Sequence, residues 1–221
     1  MRIVACFYKH DEVRFVSHLD MQRLFQRAFR RAGLPLSYSK GFNPHPLLSF
    51  ATALSVGYTS ECEYFDVTLD ESISIGEFCA KVNAVLPAGV RITAATDAGE
   101  SKASLTTLMR RAEYDVKLHL DECVKPEAID EAIGFLLNNE IIVQKKTKGG
   151  IKPTDIRPQL ICIERLGVDG NEAELHICGK LTAEGGLPLE LLMGALYERL
   201  GVGGTASVNR TEIEMDWAVM S

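Results

Sequence analysis

Residues 17–50 read SHLDMQRLFQRAFRRAGLPLSYSKGFNPHPLLSF and predict an amphipathic helix followed by a proline-rich loop. Ser17 suits the N-cap, because its hydroxyl can accept a hydrogen bond from the free N–H groups of the first turn. Gly33, with Pro35 beyond it, is a typical helix stop. Between them, apolar residues recur every three to four positions, which predicts a helix over about residues 18–32 with one buried face. That face comprises Leu19, Met21, Leu24, Phe25, Ala28, Phe29 and Ala32.

The same region carries an excess of positive charge. Residues 1–50 hold eight Lys/Arg against three Asp/Glu, a local net charge of +5, whereas the whole chain of 221 residues has a net charge of −6. This uneven distribution favours a surface for an anion, and nucleic acids are the largest anions in a cell. Exposed helix faces often carry arginine, but no acid follows Asp20 within this helix to pair with the later ones. The predicted phosphate-binding cations here are Arg23, Arg27, Arg30, Arg31 and Lys40.

The loop after the helix contains GFNPHP at residues 41–46. Phe42 offers a face for stacking, and Asn43 and His45 offer hydrogen-bonding groups. The two prolines restrict the backbone to an extended path and lower the entropic cost of ordering it. Because single-stranded RNA is recognised by aromatic faces beside cations, we predict that Phe42, Asn43 and His45 contact a base or a sugar.

The hydrophobic pattern along the rest of the chain predicts an α+β fold. Two β-α-β-β-α-β units are expected, each a ferredoxin-like half with an antiparallel sheet and helices packed on one face. The halves span residues 1–97 and 108–221, with a polar linker at 97–107. In the second half, strands are predicted at 113–120, 141–145, 160–165, 172–178 and 207–217, and helices at 126–137 and 188–200.

A second basic segment, KKTKGGIKPTDIR, occupies residues 145–157. Two interpretations stay open: a solvated hairpin tip, or a second arm that contacts phosphates independently of sequence. Asp155 and Arg157 can also form a local pair that holds the segment. The candidate phosphate contacts are Lys145, Lys146, Lys148, Lys152 and Arg157.

The run RFVSHLDMQRLFQRAFRRAGLPLSYSKGFNPHPLLSFATALSVGYTSECEYFDVTL, residues 14–69, resembles the radical-SAM-linked proteins of uncharacterised function, the DUF2344 family. The matching features are SHLD at 17–20, GFNPHP at 41–46 and SF at 49–50, with weaker similarity in KPTDIRPQL at 152–160. The resemblance implies a companion of a B12-type radical SAM protein and a role in RNA modification or ribosome-related metabolism. The chain lacks C-x-x-x-C-x-x-C, so it is expected to be the partner of such an enzyme.

Catalysis has only weak candidates, which are His18, His45 and Asp20. A histidine near a phosphate can act as general acid or base, since its ordinary pKa of about 6.5 lies near working pH. RNA contact, a structural role and metal ligation are the other interpretations for these histidines. His18, Asp20, Asn43 and His45 are all expected near the helix N-terminus, where the helix dipole favours a phosphate.

Cofactor and compartment signals are negative. No nucleotide-binding glycine motif occurs, and the six cysteines contain no C-x-x-C pair, so no cofactor and no metal are predicted. No apolar run is long enough for a membrane span, and no secretory signal is present, so a cytoplasmic protein is expected.

The sequence therefore predicts an RNA-binding accessory protein that presents tRNA or rRNA to a radical SAM modifying enzyme, and it favours a non-catalytic partner subunit over an enzyme. Neither a membrane nor a DNA partner is expected. Two alternatives stay open: an adaptor that docks on the radical SAM partner without touching RNA, and a metal-independent endoribonuclease.

Overall fold

Helices and mostly antiparallel strands alternate along the chain, which gives an α+β fold in this computed structural model. The structure describes residues 1–147 and 150–220. The chain forms two compact units: unit 1 contains residues 1–109 and the C-terminal residues from 215, and unit 2 contains residues 110–214. None of the described helices is long and apolar enough to cross a membrane.

Five α-helices lie in the described residues. The amphipathic helix of unit 1 begins and ends close to the predicted positions. The helices are α1 (His18–Arg31), α2 (Ile75–Asn83), α3 (Leu105–Leu108), α4 (Pro126–Asn138) and α5 (Leu189–Leu200).

Eleven β-strands lie in the described residues, and short 3₁₀ turns occur at Asp11–Phe15, Arg157–Gln159 and Trp217–Met220. The strands of unit 1 are β1 (Arg2–Lys9), β2 (Leu48–Phe50), β3 (Thr59–Thr68) and β4 (Val90–Asp97). The strands that follow are β5 (Met109–Leu120), β6 (Ile142–Thr147), β7 (Gly150–Asp155), β8 (Leu160–Asp169), β9 (Glu172–Thr182), β10 (Gly185–Gly186) and β11 (Gly204–Met215).

In unit 1, β1 pairs antiparallel with both β3 and β4, and β2 pairs antiparallel with β3. Helix α1 packs its apolar face on this sheet, where Phe25 lies 4.8 Å from both Phe7 and Phe65 between ring centroids. All three rings are at most 2% exposed. Removing one such ring costs about 3–5 kcal/mol, so this aromatic core fixes the position of α1.

The ends of α1 follow the local rules that its sequence predicts. The Ser17 hydroxyl accepts from the Asp20 N–H at 3.2 Å. At the other end Gly33 takes φ +67°, and the N–H of Leu34 donates to the carbonyl of Phe29, which completes a Schellman motif. One predicted core residue is wrong: Leu19 is 63% exposed. At about 100° per residue it lies about 160° from Met21, beyond the arc that faces the sheet.

The segment predicted as a linker is bound to unit 1. The Arg2 guanidinium donates to the carbonyls of Ser101 and Ala103, at 2.7 and 2.8 Å, and also to Asp66. These bonds hold the segment against the start of β1.

In unit 2, β9 pairs antiparallel with β5 and β8, and β11 neighbours β5. The predicted strand at 141–145 does not join these strands. Its residues fall largely in β6, which pairs with β7 as a separate two-stranded sheet. Of the segment interpreted as a hairpin tip, residues 145–157, the described parts of β6 and β7 pair antiparallel, and residues 148–149 lie outside the described residues.

Candidate nucleic-acid interface

The N-terminus of α1 holds a small polar cluster. The Ser17 hydroxyl donates to Asp20 Oδ2 at 2.8 Å, and Arg23 Nη1 donates to Asp20 Oδ1 at 2.9 Å. These two hydrogen bonds lower the pKa of the Asp20 carboxyl group. Asp20 therefore already has partners within the helix, and it offsets the charge of Arg23.

The four arginines of α1, which we call the basic stripe, are all exposed. At about 100° per residue, Arg23, Arg27, Arg30 and Arg31 fall within an arc of about 100° of the helix circumference. Within the described residues, no acid pairs with Arg27, Arg30 or Arg31. The C-terminal dipole of α1 favours cations in its last turn, which contributes to the choice of Arg30 and Arg31 but not of Arg27.

A groove of about 550 Å³ runs along one side of the basic stripe. Arg27 and Arg31 line it from α1, together with the apolar side chains of Leu24 and Ala28. The opposite wall is the segment 84–87, Ala-Val-Leu-Pro, which follows α2. The groove therefore combines apolar side chains with two guanidinium groups and the carboxylate of Asp20.

The GFNPHP loop is a short, closed hairpin. The N–H of Ser39 donates to the carbonyl of His45, and the N–H of Leu47 donates to the carbonyl of Ser37, both at 2.9 Å. At its base, the N–H of Ser37 donates to the carbonyl of Thr68, and the N–H of Thr68 donates to that of Leu47. The loop is thus attached to the end of β3 by backbone hydrogen bonds.

The tip of this hairpin, residues 40–44, is exposed throughout. Phe42 is fully exposed, unlike the aromatic rings of the core. Gly41 has φ +142°, a conformation that residues with a Cβ rarely adopt, and this places Phe42 at the apex. An exposed aromatic ring on an anchored loop, with Lys40 beside it, can stack on an unpaired base.

His45 is directed into its own loop. Its Nδ1 lies 3.0 Å from the Ser39 hydroxyl and 3.5 Å from the Asn43 carbonyl oxygen. His18 instead contacts Gln22, with 3.2 Å between their Nε2 atoms, and packs edge-on against Phe50. Among the described residues, no hydrogen bond joins His18 or Asp20 to Asn43 or His45. No direct contact therefore supports the prediction that these four residues meet at the N-terminus of α1.

Two buried charges lie behind His18 and were missed by sequence reasoning. Lys9 is 4% exposed and Glu63 is 3% exposed, and both line a small cavity with His18 and Thr52. The Lys9 ammonium donates to the carbonyls of Val16 and Arg14, at 3.0 and 3.2 Å, and so holds the turn that precedes α1.

This environment shifts two pKa values downwards. Burial lowers the pKa of Lys9, although the Glu63 carboxylate opposes the shift. Burial also lowers the pKa of His18, again opposed by Glu63, while Lys9 adds to the lowering. His18 is therefore favoured in its neutral form in the folded chain.

The alternation of buried residues along β1 and β3 indicates in the sequence that Lys9 and Glu63 face the core. Residues 3, 5 and 7 of β1 face the core, so position 9 has the same parity. Residues 65, 67 and 69 face the core from the β3 region, and Glu63 has their parity. Charges on the buried side of two paired strands indicate a polar site inside the unit.

The basic segment of unit 2 forms what we call the lysine ribbon, β6–β7 with Lys145, Lys146 and Lys152. Lys145 lies directly opposite Lys152 in the pairing register. Within residues 1–147 and 150–220, no ion pair involves these lysines. Lys148, also predicted to bind phosphate, lies outside the described residues.

Arg157 has a structural role instead. Its Nε donates to the carbonyl of Leu137 and its Nη1 to that of Leu160, both at 2.7 Å. The carboxylate of Asp155 accepts from the backbone N–H groups of Ile141 and Arg157. The predicted local pair thus exists through the backbone of Arg157, and its guanidinium has partners within the chain.

No group of three or more His, Cys, Asp or Glu side chains with metal-binding geometry occurs in the part of the chain that the structure describes. All six cysteines are free thiols.

Comparison with known sequences gives one family. A family model described as "Uncharacterized protein conserved in bacteria (DUF2344)" matches residues 2–187. No curated protein matches the chain.

Solved structures with a similar fold include three complexes. A Cbf5–Nop10–Gar1 complex matches with 13% identity and a TM-score of 0.57, over 96% of this chain and 48% of that chain. The archaeal box H/ACA sRNP Nop10–Cbf5 complex and an H/ACA RNP bound to a substrate RNA containing 2′-deoxyuridine each match with 13% identity and a TM-score of 0.54, over 96% of this chain and 47% of theirs. The chain spans about half the length of these proteins, and at this identity the likeness concerns the fold alone.

Proposed function

We propose that this chain, which belongs to the DUF2344 family, binds RNA through the basic stripe of α1 and the exposed tip of the GFNPHP loop. The observation that carries the proposal is that Arg27, Arg30 and Arg31 are exposed without an acidic partner among the described residues of a chain whose net charge is −6. Arginines elsewhere, such as Arg111 and Arg165, do pair with acids. Guanidinium groups left free on one helix face suit phosphate binding.

The loop supplies the second part of this surface. Phosphate contacts alone position a nucleic acid, whereas contacts with bases add preference. Phe42 stacks on a base, and Lys40 contacts a neighbouring phosphate. Asn43 lies on the same exposed tip, and His45 holds the tip closed through Ser39. The loop therefore selects unpaired nucleotides, and the lysine ribbon adds contacts that depend on charge alone.

The fold supports the proposal through its neighbours. Two of the similar solved structures are named as ribonucleoproteins, an archaeal box H/ACA sRNP complex and an H/ACA RNP bound to a substrate RNA. Each unit here has a strand order compatible with a ferredoxin-like half, β2-β3-β1-β4 in unit 1 and β8-β9-β5-β11 in unit 2. Sheets of this order recur in RNA-binding modules.

In its fuller form, the function is presentation of tRNA or rRNA to a radical SAM modifying enzyme. The similarity of residues 14–69 to radical-SAM-linked proteins motivates this step. It predicts a ternary complex of RNA, this chain and the enzyme. Co-purification of all three, with loss of the RNA when the basic stripe is neutralised, is the expected result.

Salt titration of RNA binding tests the core proposal. Fluorescence anisotropy with a labelled tRNA or a single-stranded RNA gives the Kd at increasing KCl concentration. Four phosphate contacts predict a log–log slope of the association constant of about −3, from about −0.7 per contact on single strands. Absence of binding at low salt, or affinity that ignores salt, contradicts the proposal.

A protein-docking adaptor is the second candidate, favoured by the full exposure of Phe42. An apolar side chain at a loop apex can insert into a partner protein, and such docking responds little to salt. RNA cleavage has less support, because His18 is partly buried beside the Lys9–Glu63 cavity and His45 bonds within its own loop.

A further inference from the structure

The groove beside the basic stripe has features that phosphate contact alone does not require. Arg27 and Arg31 carry the positive charge of its lining, and Asp20 carries a negative charge. The rest of the lining is largely apolar, from Leu24 and Ala28 on one side and from the segment 84–87 on the other. Sequence-independent phosphate binding needs only a flat cationic face, so the apolar lining points to a second recognition element.

The size of the groove fits a small organic group. Its volume of about 550 Å³ lies within the range of about 300–1,000 Å³ that is typical of ligand pockets. Such pockets are mostly apolar, with a few placed polar groups that fix orientation. The planar guanidinium groups of Arg27 and Arg31 can both bind a phosphate and stack on a base.

The charged residues of the groove determine how a bound phosphorylated group would be oriented along it. Asp20 lines the groove toward the start of α1, and its carboxylate repels a phosphate. Arg31 lies near the other end of the helix, about three turns away. A phosphate is therefore expected between Arg27 and Arg31, and an uncharged ring over the apolar residues.

We propose that this groove accepts one unstacked nucleotide of an RNA strand, with its phosphate on Arg27 and Arg31 and its base against Ala28, Val85 and Leu86. This inference rests on the proposed function, because it assumes that the surface meets RNA. A base inside a duplex is stacked on both faces and cannot enter a groove. The groove thus adds a preference for single strands or bulges to the affinity that the basic stripe provides.

Substitutions at Ala84 and Ala88 separate the groove from the charge. Ala84 lines the groove and is exposed, so Ala84→Trp fills it without changing any charge. Ala88 is also exposed but does not line the groove, so Ala88→Trp is the matched control. The expected result is that Ala84→Trp weakens binding of a single-stranded RNA at least about fivefold, while binding of a blunt duplex stays unchanged and Ala88→Trp behaves as wild type.

Methyl NMR of the same proteins gives a direct readout. Uridine monophosphate is expected to shift the methyl signals of Ala28, Val85 and Leu86 saturably, whereas inorganic phosphate leaves them in place. Methyl shifts with phosphate alone, or wild-type single-strand binding by Ala84→Trp, overturns the inference. If the wild-type chain binds neither RNA at low salt, the proposed function itself has failed; if it binds both equally, only the groove assignment has failed.

Discussion

The basic stripe of unit 1 and the lysine ribbon of unit 2 both collect positive charge, but their surroundings differ. The stripe lies on α1, whose opposite face is locked into an aromatic core through Phe25 and Phe29. The ribbon is a two-stranded hairpin outside the main sheet, with Lys145 opposite Lys152. The guanidinium groups therefore project from a helix that is packed on the core. The ammonium groups of Lys145 and Lys152 lie opposite each other on a two-stranded sheet, where like charges repel.

This difference separates two kinds of RNA contact. Arginines on a fixed helix beside a groove and an anchored aromatic tip can read the geometry of a strand. Lysines on a separate two-stranded sheet contribute charge, but their flexible ammonium groups impose little orientation on a bound strand. The first surface should therefore control affinity and the preference for unpaired RNA, and the second should control only part of the salt dependence.

The largest effect is expected from neutralising the basic stripe. Replacing Arg23, Arg27, Arg30 and Arg31 by Gln should weaken RNA binding at low salt about 100-fold, because four exposed charge contacts of about 0.7 kcal/mol each contribute about 2.8 kcal/mol together. Anisotropy titration at fixed KCl measures this change. A control with Gln at Arg91, Lys102, Lys125 and Lys180 removes the same charge elsewhere; if the two variants lose equal affinity, net charge alone drives binding.

Phe42→Ala should have the next largest effect. Loss of one stacking partner is expected to weaken single-strand binding about tenfold, since stacking on an aromatic residue contributes about 1–3 kcal/mol per base. The salt slope should not change, because no charge is lost. Phe42→Tyr keeps a stacking face and should bind as wild type, whereas equal weakening by both substitutions would contradict a stacking role.

A smaller effect is expected from the lysine ribbon. Gln at Lys145, Lys146 and Lys152 should weaken binding about threefold, because three exposed contacts at the low end of the range, about 0.2 kcal/mol each, contribute about 0.6 kcal/mol together. The same loss should occur with single-stranded and duplex RNA, and the salt slope should become shallower. A selective loss for one RNA would show that the ribbon reads geometry as well.

The smallest effect concerns pH. Burial lowers the pKa of His18, so its protonated form is favoured by unfolding. Its contribution to stability is complete above its ordinary pKa of about 6.5 and is lost as pH falls through the window below that value. Urea unfolding at pH 8, 7, 6 and 5 should show a smaller loss of stability on acidification in His18→Gln than in wild type. Parallel curves for the two proteins would contradict the shift.

Local rules account for the parts of the fold that the sequence predicts well. Helix α1 and its ends are predictable because Ser17 at its start and Gly33 at its end each act on residues within about one turn. The placement of residues 141–145 failed, since strand propensity does not say which partner a strand pairs with. That choice depends on the pairing with β7, whose partner residues lie only 3 to 13 positions further along the chain.

The candidate site was predicted in part for the same reason. Exposed arginines and the loop tip are visible in the sequence, because charge and proline spacing describe a surface. Arg157 looked equivalent to its lysine neighbours, yet its guanidinium donates to the carbonyl of Leu137, 20 residues away, and to that of Leu160, three residues away. The Lys9–Glu63 pair and the groove depend on which elements face each other within unit 1. The alternation along the strands indicates the buried charges, but no sequence pattern indicates the groove.

Photo-crosslinking of RNA to the protein tests the central claim most directly. A single-stranded RNA containing 4-thiouridine is bound to the full chain, irradiated and digested, and the crosslinked peptides are identified by mass spectrometry. The account predicts crosslinks at Phe42 and along residues 23–31, with few in the rest of the chain. Crosslinks confined to the lysine ribbon or to other parts of unit 2, with none on α1 or the loop, would contradict it.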